Sequence, residues 1–244
     1  MKLLRLKLTD PKPFRSLQPG FEYHFRTEWE LEDELKESPS LAPFVCAGPN
    51  GSGKSNLLEL IAAIFFQLEV LRVRRSFLPD AFFYDAETNP QGLKDGHGVP
   101  DAFELEYWIQ FPYVEPGSVD GFVHAKISIT KLVGESPRIT WLNPPKELRS
   151  DDVAFKYRNY LLPDFVLGYS SGENEILSLP FFKMRFIQYD EYWNALKKQL
   201  PYDGRPESRL AYLDSGYSQA IVLCNMLFND PATTTVFREE DGIS

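Results

Sequence analysis

The sequence predicts an α/β fold in which a buried strand leads through a glycine-rich loop into a helix, with an additional antiparallel sheet. Residues 48–55 read Gly-Pro-Asn-Gly-Ser-Gly-Lys-Ser, which fits the spacing G-x-x-x-x-G-K-S/T. The apolar run at residues 42–47 is typical of a buried strand, and residues 56–69 contain neither Gly nor Pro and favour a helix. Alternation of apolar and polar side chains predicts the antiparallel sheet from three later runs, residues 102–111, 122–132 and 138–142.

The other elements follow from the same periodicities. Clean alternation at residues 2–8 predicts a half-buried strand. The Glu-rich residues 28–40 and the Pro- and Gly-rich residues 79–100 predict exposed excursions. The remaining expected elements are strands at residues 21–25 and 165–169 and helices at residues 150–161 and from Gly172 onward. We therefore expect a single lobe, residues 1–244, with an insertion at about residues 76–150 between the first helix and a second motif.

Composition is that of an ordinary globular protein, with 43% hydrophobic and 25% charged residues. The net charge of −9 argues against attraction of nucleic acid by the chain as a whole, so any DNA contact would need a local patch. Arg72, Arg74 and Arg75 form a dense basic cluster. A solvated helix end is the simpler interpretation of this cluster, because cations suit the negative end of a helix dipole.

Cysteine usage and hydropathy predict a soluble, cytoplasmic protein without a membrane partner. Cys46 and Cys224 both lie in apolar runs and are expected to be small core residues rather than a disulfide. Residues 1–9 alternate instead of forming the continuous apolar core of a signal peptide. The apolar helix after the glycine loop is interrupted by Glu59 and Glu69 and is too short to span a bilayer.

The glycine loop predicts a phosphate site. Gly48, Gly51 and Gly53 allow a tight turn and close approach of a ligand, while free N–H groups and the helix dipole attract anions. Lys54 would contact the β- and γ-phosphates of ATP, and the Ser55 hydroxyl would bind Mg²⁺. The predicted nucleotide-binding residues are Gly48, Asn50, Gly51, Ser52, Gly53, Lys54, Ser55 and Asn56. The alternative, a chance match, is disfavoured by the flanking strand-like and helix-like segments.

A second motif, Tyr-Ser-Ser-Gly-Glu at residues 169–173, follows an apolar run and precedes a helical segment. Alone it is common turn chemistry. Beside the first motif it also predicts a second anion site, because serine and glycine open a helix there.

The two motifs together resemble the ABC-type ATPases of the RecF/SMC-like group. Residues 48–59 resemble that group's Walker A form, Phe14-Arg15 resembles its N-terminal "FR" segment, and Ser-Ser-Gly-Glu resembles its signature sequence. More narrowly, residues 169–178 resemble AAA-family ATPases found beside restriction and other phage-defence systems.

The resemblance implies that ATP and Mg²⁺ are bound and that two lobes sandwich ATP head to tail as a homodimer. Ser170, Ser171, Gly172 and Glu173 would then face the γ-phosphate held by the other lobe. ATP hydrolysis would depend on positioning and on charge stabilisation by Lys54. DNA is the expected partner of the full assembly, together with a nuclease or restriction protein.

The resemblance also implies a strand that ends in Asp-Glu, the Walker B pair, followed by a histidine. Asp190-Glu191 has the right letters, but the pattern of residues 183–197 favours an amphipathic helix over a strand. Asp214 ends a strand-like run and is followed by Ser215 instead of Glu. The histidines, His24, His97 and His124, all precede these candidates and are expected to be exposed rather than catalytic.

The simplest expectation is the N-terminal portion of a longer ATPase that binds nucleotide and hydrolyses it poorly. Two alternatives stay open. One is a P-loop kinase for a small molecule, which the long insertion and the lack of a recognisable Arg-rich lid disfavour. The other is a non-hydrolysing, nucleotide-sensing subunit of a nuclease complex.

Overall fold

The computed structural model describes residues 1–27, 44–70, 99–113, 121–148, 153–170, 175–201 and 209–228. The strands are β1 (Lys2–Leu8), β2 (Glu22–His24), β3 (Phe103–Pro112), β4 (Phe122–Lys131), β5 (Arg138–Trp141), β6 (Val166–Tyr169) and β7 (Leu210–Leu213). The α-helices are α1 (Lys54–Val70), α2 (Val153–Lys156), α3 (Arg158–Leu161), α4 (Glu175–Lys197) and α5 (Ser218–Phe228). Mixed helices and strands with an antiparallel sheet are therefore confirmed.

The larger sheet has the strand order β2-β1-β3-β4-β5, and every pair in it is antiparallel. Leu4, Leu6 and Leu8 of β1 are buried, while the residues between them are only partly covered, as the period-2 pattern predicts. Three of the strands, β3 to β5, come from the predicted insertion at residues 76–150. This segment completes the main sheet by pairing with β1.

Arg5 joins three strands on the outer face of this sheet. Its guanidinium forms ion pairs with Glu22 of β2 at 3.2 Å and with Glu104 and Glu106 of β3 at 2.6 and 2.8 Å. Burial alone would lower the pKa of Arg5, but hydrogen bonds to Glu106 and Glu104 outweigh it and raise that pKa overall. The hydrogen bond from Arg5 in turn lowers the pKa of Glu22.

Helix α1 lies between two hydrophobic clusters. Leu60 and Ile64 belong to the cluster that includes the inner face of the five-stranded sheet. Ala62 and Phe66 belong to a second cluster, formed with residues of α4 and β7. A helix with apolar side chains on two opposite faces needs cover on both faces, which the two clusters supply.

Strands β6 and β7 pair in parallel, with Tyr169 opposite Leu213, and α4 connects them. Helix α4 packs closely on β6 at Gly168, where an added Cβ would lie 2.6 Å from Cζ of Phe181. This close packing forms a compact β-α-β unit at the second motif.

The strand predicted at residues 42–47 is wrong for the part that the structure describes, since residues 44–47 have no strand structure. Phe44 and Val45 are 40% and 82% exposed. The ring of Phe44 packs edge-on against Tyr23 and Phe25 beside β2, with centroids 5.9 and 5.2 Å apart. Side-chain packing on the sheet edge therefore replaces the backbone pairing that the apolar pattern suggested.

The helix predicted at residues 150–161 is two short helices, α2 and α3, in its described part. They are separated at Tyr157, whose φ of −103° and ψ of 14° depart from helical values. The Tyr157 ring packs against Phe111, with centroids 5.4 Å apart. The interruption thus falls at the residue whose aromatic ring packs on the sheet.

The prediction of two core cysteines is half right. Cys46 is partly buried, with its Sγ 3.9 Å from the Tyr23 hydroxyl, and both cysteines are free. Burial raises the pKa of Tyr23, and the contact with Cys46 adds to that rise. Cys224 is exposed because α5 buries none of its side chains. Arg72, Arg74 and Arg75 and most of residues 79–100 lie outside the described residues.

Candidate functional site

The glycine loop leads directly into α1, which begins at Lys54. Gly51 and Gly53 have φ values of +82° and +88°, in the left-handed region that glycine adopts without strain. An added Cβ at Gly48 would lie 3.0 Å from the Ser52 hydroxyl oxygen. The glycines of the motif are therefore required by backbone conformation at two positions and by close approach at a third.

The side chain of Lys54 folds back over the loop. Its Nζ donates to the carbonyl oxygens of Gly48 and Pro49, each at 2.7 Å, and lies 3.4 Å from the Ser52 hydroxyl oxygen. The loop thus holds the Lys54 ammonium group against its own backbone carbonyl groups. The first turn of α1 contains no acidic residue that would neutralise this charge.

Ser55 and Asn56 occupy the first turn of α1. Ser55 is exposed, so its hydroxyl is accessible from solvent. Asn56 Nδ2 donates to the Ser16 hydroxyl oxygen, and this bond ties α1 to the N-terminal part of the chain. The predicted nucleotide-binding residues, 48 to 56 without Pro49, are thereby gathered at one helix N-terminus.

A tight turn at residues 14–17 packs against the loop. Phe14 and Leu17 exchange two backbone hydrogen bonds, at 3.0 and 2.9 Å, and Arg15 between them has a φ of +56°. Leu17 Cδ2 would lie 3.3 Å from a Cβ added at Gly53. The "FR" segment singled out in the sequence is thus part of the wall of the glycine loop.

Glu59 lies behind the loop, one turn along α1 from Ser55. It is 7% exposed, and its Oε2 lies 3.3 Å from Nε of Arg15. That oxygen makes no hydrogen bond within the described part of the chain. In the sequence, Glu59 is an interruption of an apolar helix and the last residue of the segment that resembles the Walker A form, and neither feature predicts its contact with Arg15. A charged residue four positions after Ser55, amid buried neighbours, was the signal that could have identified it.

The second motif is only partly described. Ser170 follows β6 and is half-buried, whereas Ser171, Gly172 and Glu173 lie outside the described residues. Helix α4 begins at Glu175, close behind the motif as the sequence predicts. The predicted order of strand, motif and helix is confirmed, but the contacts of the motif itself stay a prediction.

Asp214 comes to the same sheet edge as Ser170. Tyr169 pairs with Leu213 in parallel register, so the residues that follow them leave the sheet side by side. The Asp214 carboxylate accepts a hydrogen bond from the Gly216 N–H at 2.8 Å and begins the turn that leads into α5. The strand-like approach to Asp214 is confirmed.

Asp190 and Glu191 lie in the middle of α4 rather than at the end of a strand. The carbonyl oxygen of Asp190 accepts a bond from Asn194 Nδ2, four residues later on the helix. A Walker B role for this pair is therefore wrong. The helical interpretation of residues 183–197 is confirmed, with Met184 and Ile187 buried against α1.

The described residues contain no group of three or more His, Cys, Asp or Glu side chains that could hold a metal ion. His24 is exposed beside Glu22, His124 lies in β4, and His97 lies outside the described residues. No helix in the described part of the chain is both long and apolar enough to cross a membrane.

Comparison of the chain with protein-family models, with curated proteins and with solved structures finds no match. The residues and their geometry are therefore the basis for a functional proposal.

Proposed function

We propose that this protein binds a magnesium–nucleoside triphosphate at residues 48–56 and acts as an ATPase module of the ABC type, similar to the RecF/SMC group. The observation that carries the proposal is the glycine loop itself. Its positive-φ glycines open directly into a 17-residue helix, and Lys54 folds over it.

The loop offers a polyphosphate three kinds of attraction. Backbone N–H groups at the helix N-terminus donate to anions, and the helix dipole adds partial positive charge. The Lys54 ammonium now donates to two neutral carbonyl groups. Phosphate oxygens would be stronger acceptors than these carbonyl groups, because their negative charge adds direct attraction between opposite charges to the hydrogen bond. Lys54 therefore favours an anion at this position.

Magnesium would be held by few protein ligands. The exposed Ser55 hydroxyl is one, and Mg²⁺ usually keeps several waters and the oxygens of the phosphates. Asp214 is the acidic candidate that the fold supports, since it stands at the carboxyl end of a parallel sheet, where α/β proteins bind ligands. Mg²⁺ would neutralise charge on the phosphates. The chain's own residues position and orient the triphosphate.

The finer parts of the proposal follow from the resemblance. Ser170 and the three residues after it would contact a nucleotide held by a second copy, forming an ATP-dependent homodimer. We propose that the assembly acts in the cytoplasm on or near DNA, in DNA maintenance or in phage defence, where a nuclease or restriction protein would be its partner.

A second candidate, nucleotide sensing without turnover, is favoured by one observation. Asp214 is followed by Ser215, and the Asp-Glu pair at residues 190–191 is helical. Within the part of the chain that the structure describes, neither candidate therefore supplies a glutamate at a strand end to polarise an attacking water. Measuring ATP turnover with and without DNA distinguishes this candidate from an active ATPase.

Titration calorimetry with magnesium-ATP tests the proposal. We expect wild-type protein to bind and Lys54→Ala to bind at least about 100-fold more weakly, because charged hydrogen bonds contribute about 1.5–3 kcal/mol each and about 1.4 kcal/mol is tenfold in affinity. Lys146→Ala, which removes an exposed lysine from the short turn after β5, is the matched control and should bind normally. Absence of binding by folded wild-type protein would refute the proposal.

A further inference from the structure

Glu59 is an unusually placed carboxylate. More than nine-tenths of the residue is buried, and Oε2 has no hydrogen-bond partner among the described residues. Its ion-pair partner is Nε of Arg15 at 3.3 Å. Burial of a carboxylate is costly unless a cation compensates it, so Glu59 requires Arg15 to stay where it is.

Arg15 in turn belongs to a strained turn. Its φ of +56° is uncommon for a residue with a side chain, and two backbone hydrogen bonds between Phe14 and Leu17 close the turn around it. The Arg15 side chain is 43% exposed at the mouth of a small cleft between α1 and the start of α4. Glu59 lies on the α1 wall of that cleft, beside Phe66.

The same turn contacts the glycine loop at two points. Ser16 accepts a hydrogen bond from Asn56, and Leu17 lies beside Gly53. Asn56 and Glu59 are three residues apart and share one face of α1. The turn is therefore attached to α1 by two successive side chains, of which Glu59 is the charged one.

We propose that Glu59 is a positioning residue for the glycine loop: by holding Arg15, it fixes the turn at residues 14–17 against Gly53 and Asn56 in the arrangement that accepts a polyphosphate. This inference rests on the proposed nucleotide binding. It assigns Glu59 no contact with the nucleotide, because the carboxylate is buried behind the loop.

The test is a double-mutant cycle read by the affinity for magnesium-ATP. Glu59→Gln keeps the shape and removes the charge, and we expect an affinity about 5- to 10-fold lower. Arg15→Gln should lose as much or more, because it leaves the buried carboxylate without a cation. The double variant should be no weaker than Arg15→Gln alone, since the two residues act as one pair.

Glu69→Gln is the matched control. Glu69 is also buried on α1 but lies ten residues farther along the chain, and its substitution should leave nucleotide affinity unchanged. Arg15→Lys retains the charge, lacks the Nε–H that faces Glu59 and changes only a half-exposed side chain. Arg15→Lys should weaken nucleotide binding about as much as Glu59→Gln does. If Glu59→Gln does not fold, the affinity of Arg15→Lys tests the proposal instead.

The outcomes separate the two proposals. If wild-type protein binds and both Glu59→Gln and Arg15→Lys bind equally well, the positioning role is refuted while nucleotide binding stands. The positioning role would also be refuted if the fold-loss in affinity of the double variant equalled the product of the two single losses. Such a product means that the free-energy changes add, as they do for residues that act independently. If wild-type protein does not bind at all, both proposals fail.

Discussion

Gly51 and Gly53 differ mainly in what lies beside them. Both have positive φ values, +82° and +88°. A Cβ on Gly51 would meet no atom within 4 Å, whereas one on Gly53 would lie 3.3 Å from Leu17. Both positions require a left-handed backbone conformation, but of the two only Gly53 also has a neighbouring side chain too close for an added Cβ.

We therefore predict that Gly53→Ala weakens magnesium-ATP binding more than Gly51→Ala does. Each should cost about 1–2 kcal/mol of left-handed strain, and Gly53→Ala should in addition displace the turn at residues 14–17. Gly134→Ala, which carries a similar strain at a φ of +73° in the turn after β4, should lower stability without changing affinity. Calorimetry and thermal melting of the three variants measure both effects. Equal affinities for Gly51→Ala and Gly53→Ala would contradict the steric argument.

At the residue scale, the sequence predicted the local geometry of the loop well and its long-range contacts poorly. The motif spacing predicts a tight glycine turn before a helix, and the positive φ values of Gly51 and Gly53 and the start of α1 at Lys54 agree with it. The pairing of Glu59 with Arg15 joins residues 44 positions apart and depends on how the N-terminal turn packs. Such a pair is visible only when the fold is known.

Among the elements, β6 and α4 meet so closely at Gly168 that a side chain there would have to displace an aromatic ring. A Cβ there would approach Cζ and Cε2 of Phe181 at 2.6 and 2.9 Å and Cδ2 of Tyr212 at 3.1 Å. The two rings lie on α4 and β7, so one glycine sets the spacing of the whole β-α-β unit.

Gly168→Ala is accordingly expected to lower the free energy of unfolding by about 1–3 kcal/mol, the usual cost of overpacking. A second substitution, Phe181→Leu, should restore part of that loss by removing the ring that the new methyl group meets. Gly121→Ala, at the start of β4 with open space around it, is the matched control. Denaturant unfolding measures all of these variants. An unchanged midpoint for Gly168→Ala would show that the ring moves aside at no cost.

Element type was predictable where alternation was strong, as in β1, β3 and β4, and where a long run contained neither Gly nor Pro, as in α1. It failed at residues 44–47, because a short apolar run can pack by side chains on a sheet edge as well as pair in a strand. The letters Asp190-Glu191 suggested a strand end, but the surrounding pattern favoured the helix that α4 shows. Periodicity over many residues outweighed a short motif.

Over the whole molecule, the apolar surface is distributed unevenly. Helix α5 buries none of its side chains, although eight of its eleven residues are apolar. Leu223, Leu227 and Phe228 are 58%, 66% and 82% exposed. An exposed apolar patch of this kind is uncommon on a folded surface and attracts other apolar molecules.

We predict that the protein binds a fluorescent dye specific for apolar surface and that Leu223→Gln with Leu227→Gln reduces the signal. Both side chains are exposed, so stability should change by no more than about 0.5 kcal/mol per substitution. Leu132→Gln, at a site outside α5 that is 56% exposed, should leave most of the fluorescence as it was. Dye titration beside thermal melting provides the comparison. If the double variant kept its full dye fluorescence, the dye would bind at a site other than α5.

Helix α1 has a consequence for cooperativity, because both hydrophobic clusters include it. If α1 came away, both hydrophobic clusters would be exposed to water. The two sheets should therefore unfold in a single transition, even though they share no strand. A ligand that binds the first turn of α1 should therefore slow the hydrogen exchange of distant backbone amides in both sheets.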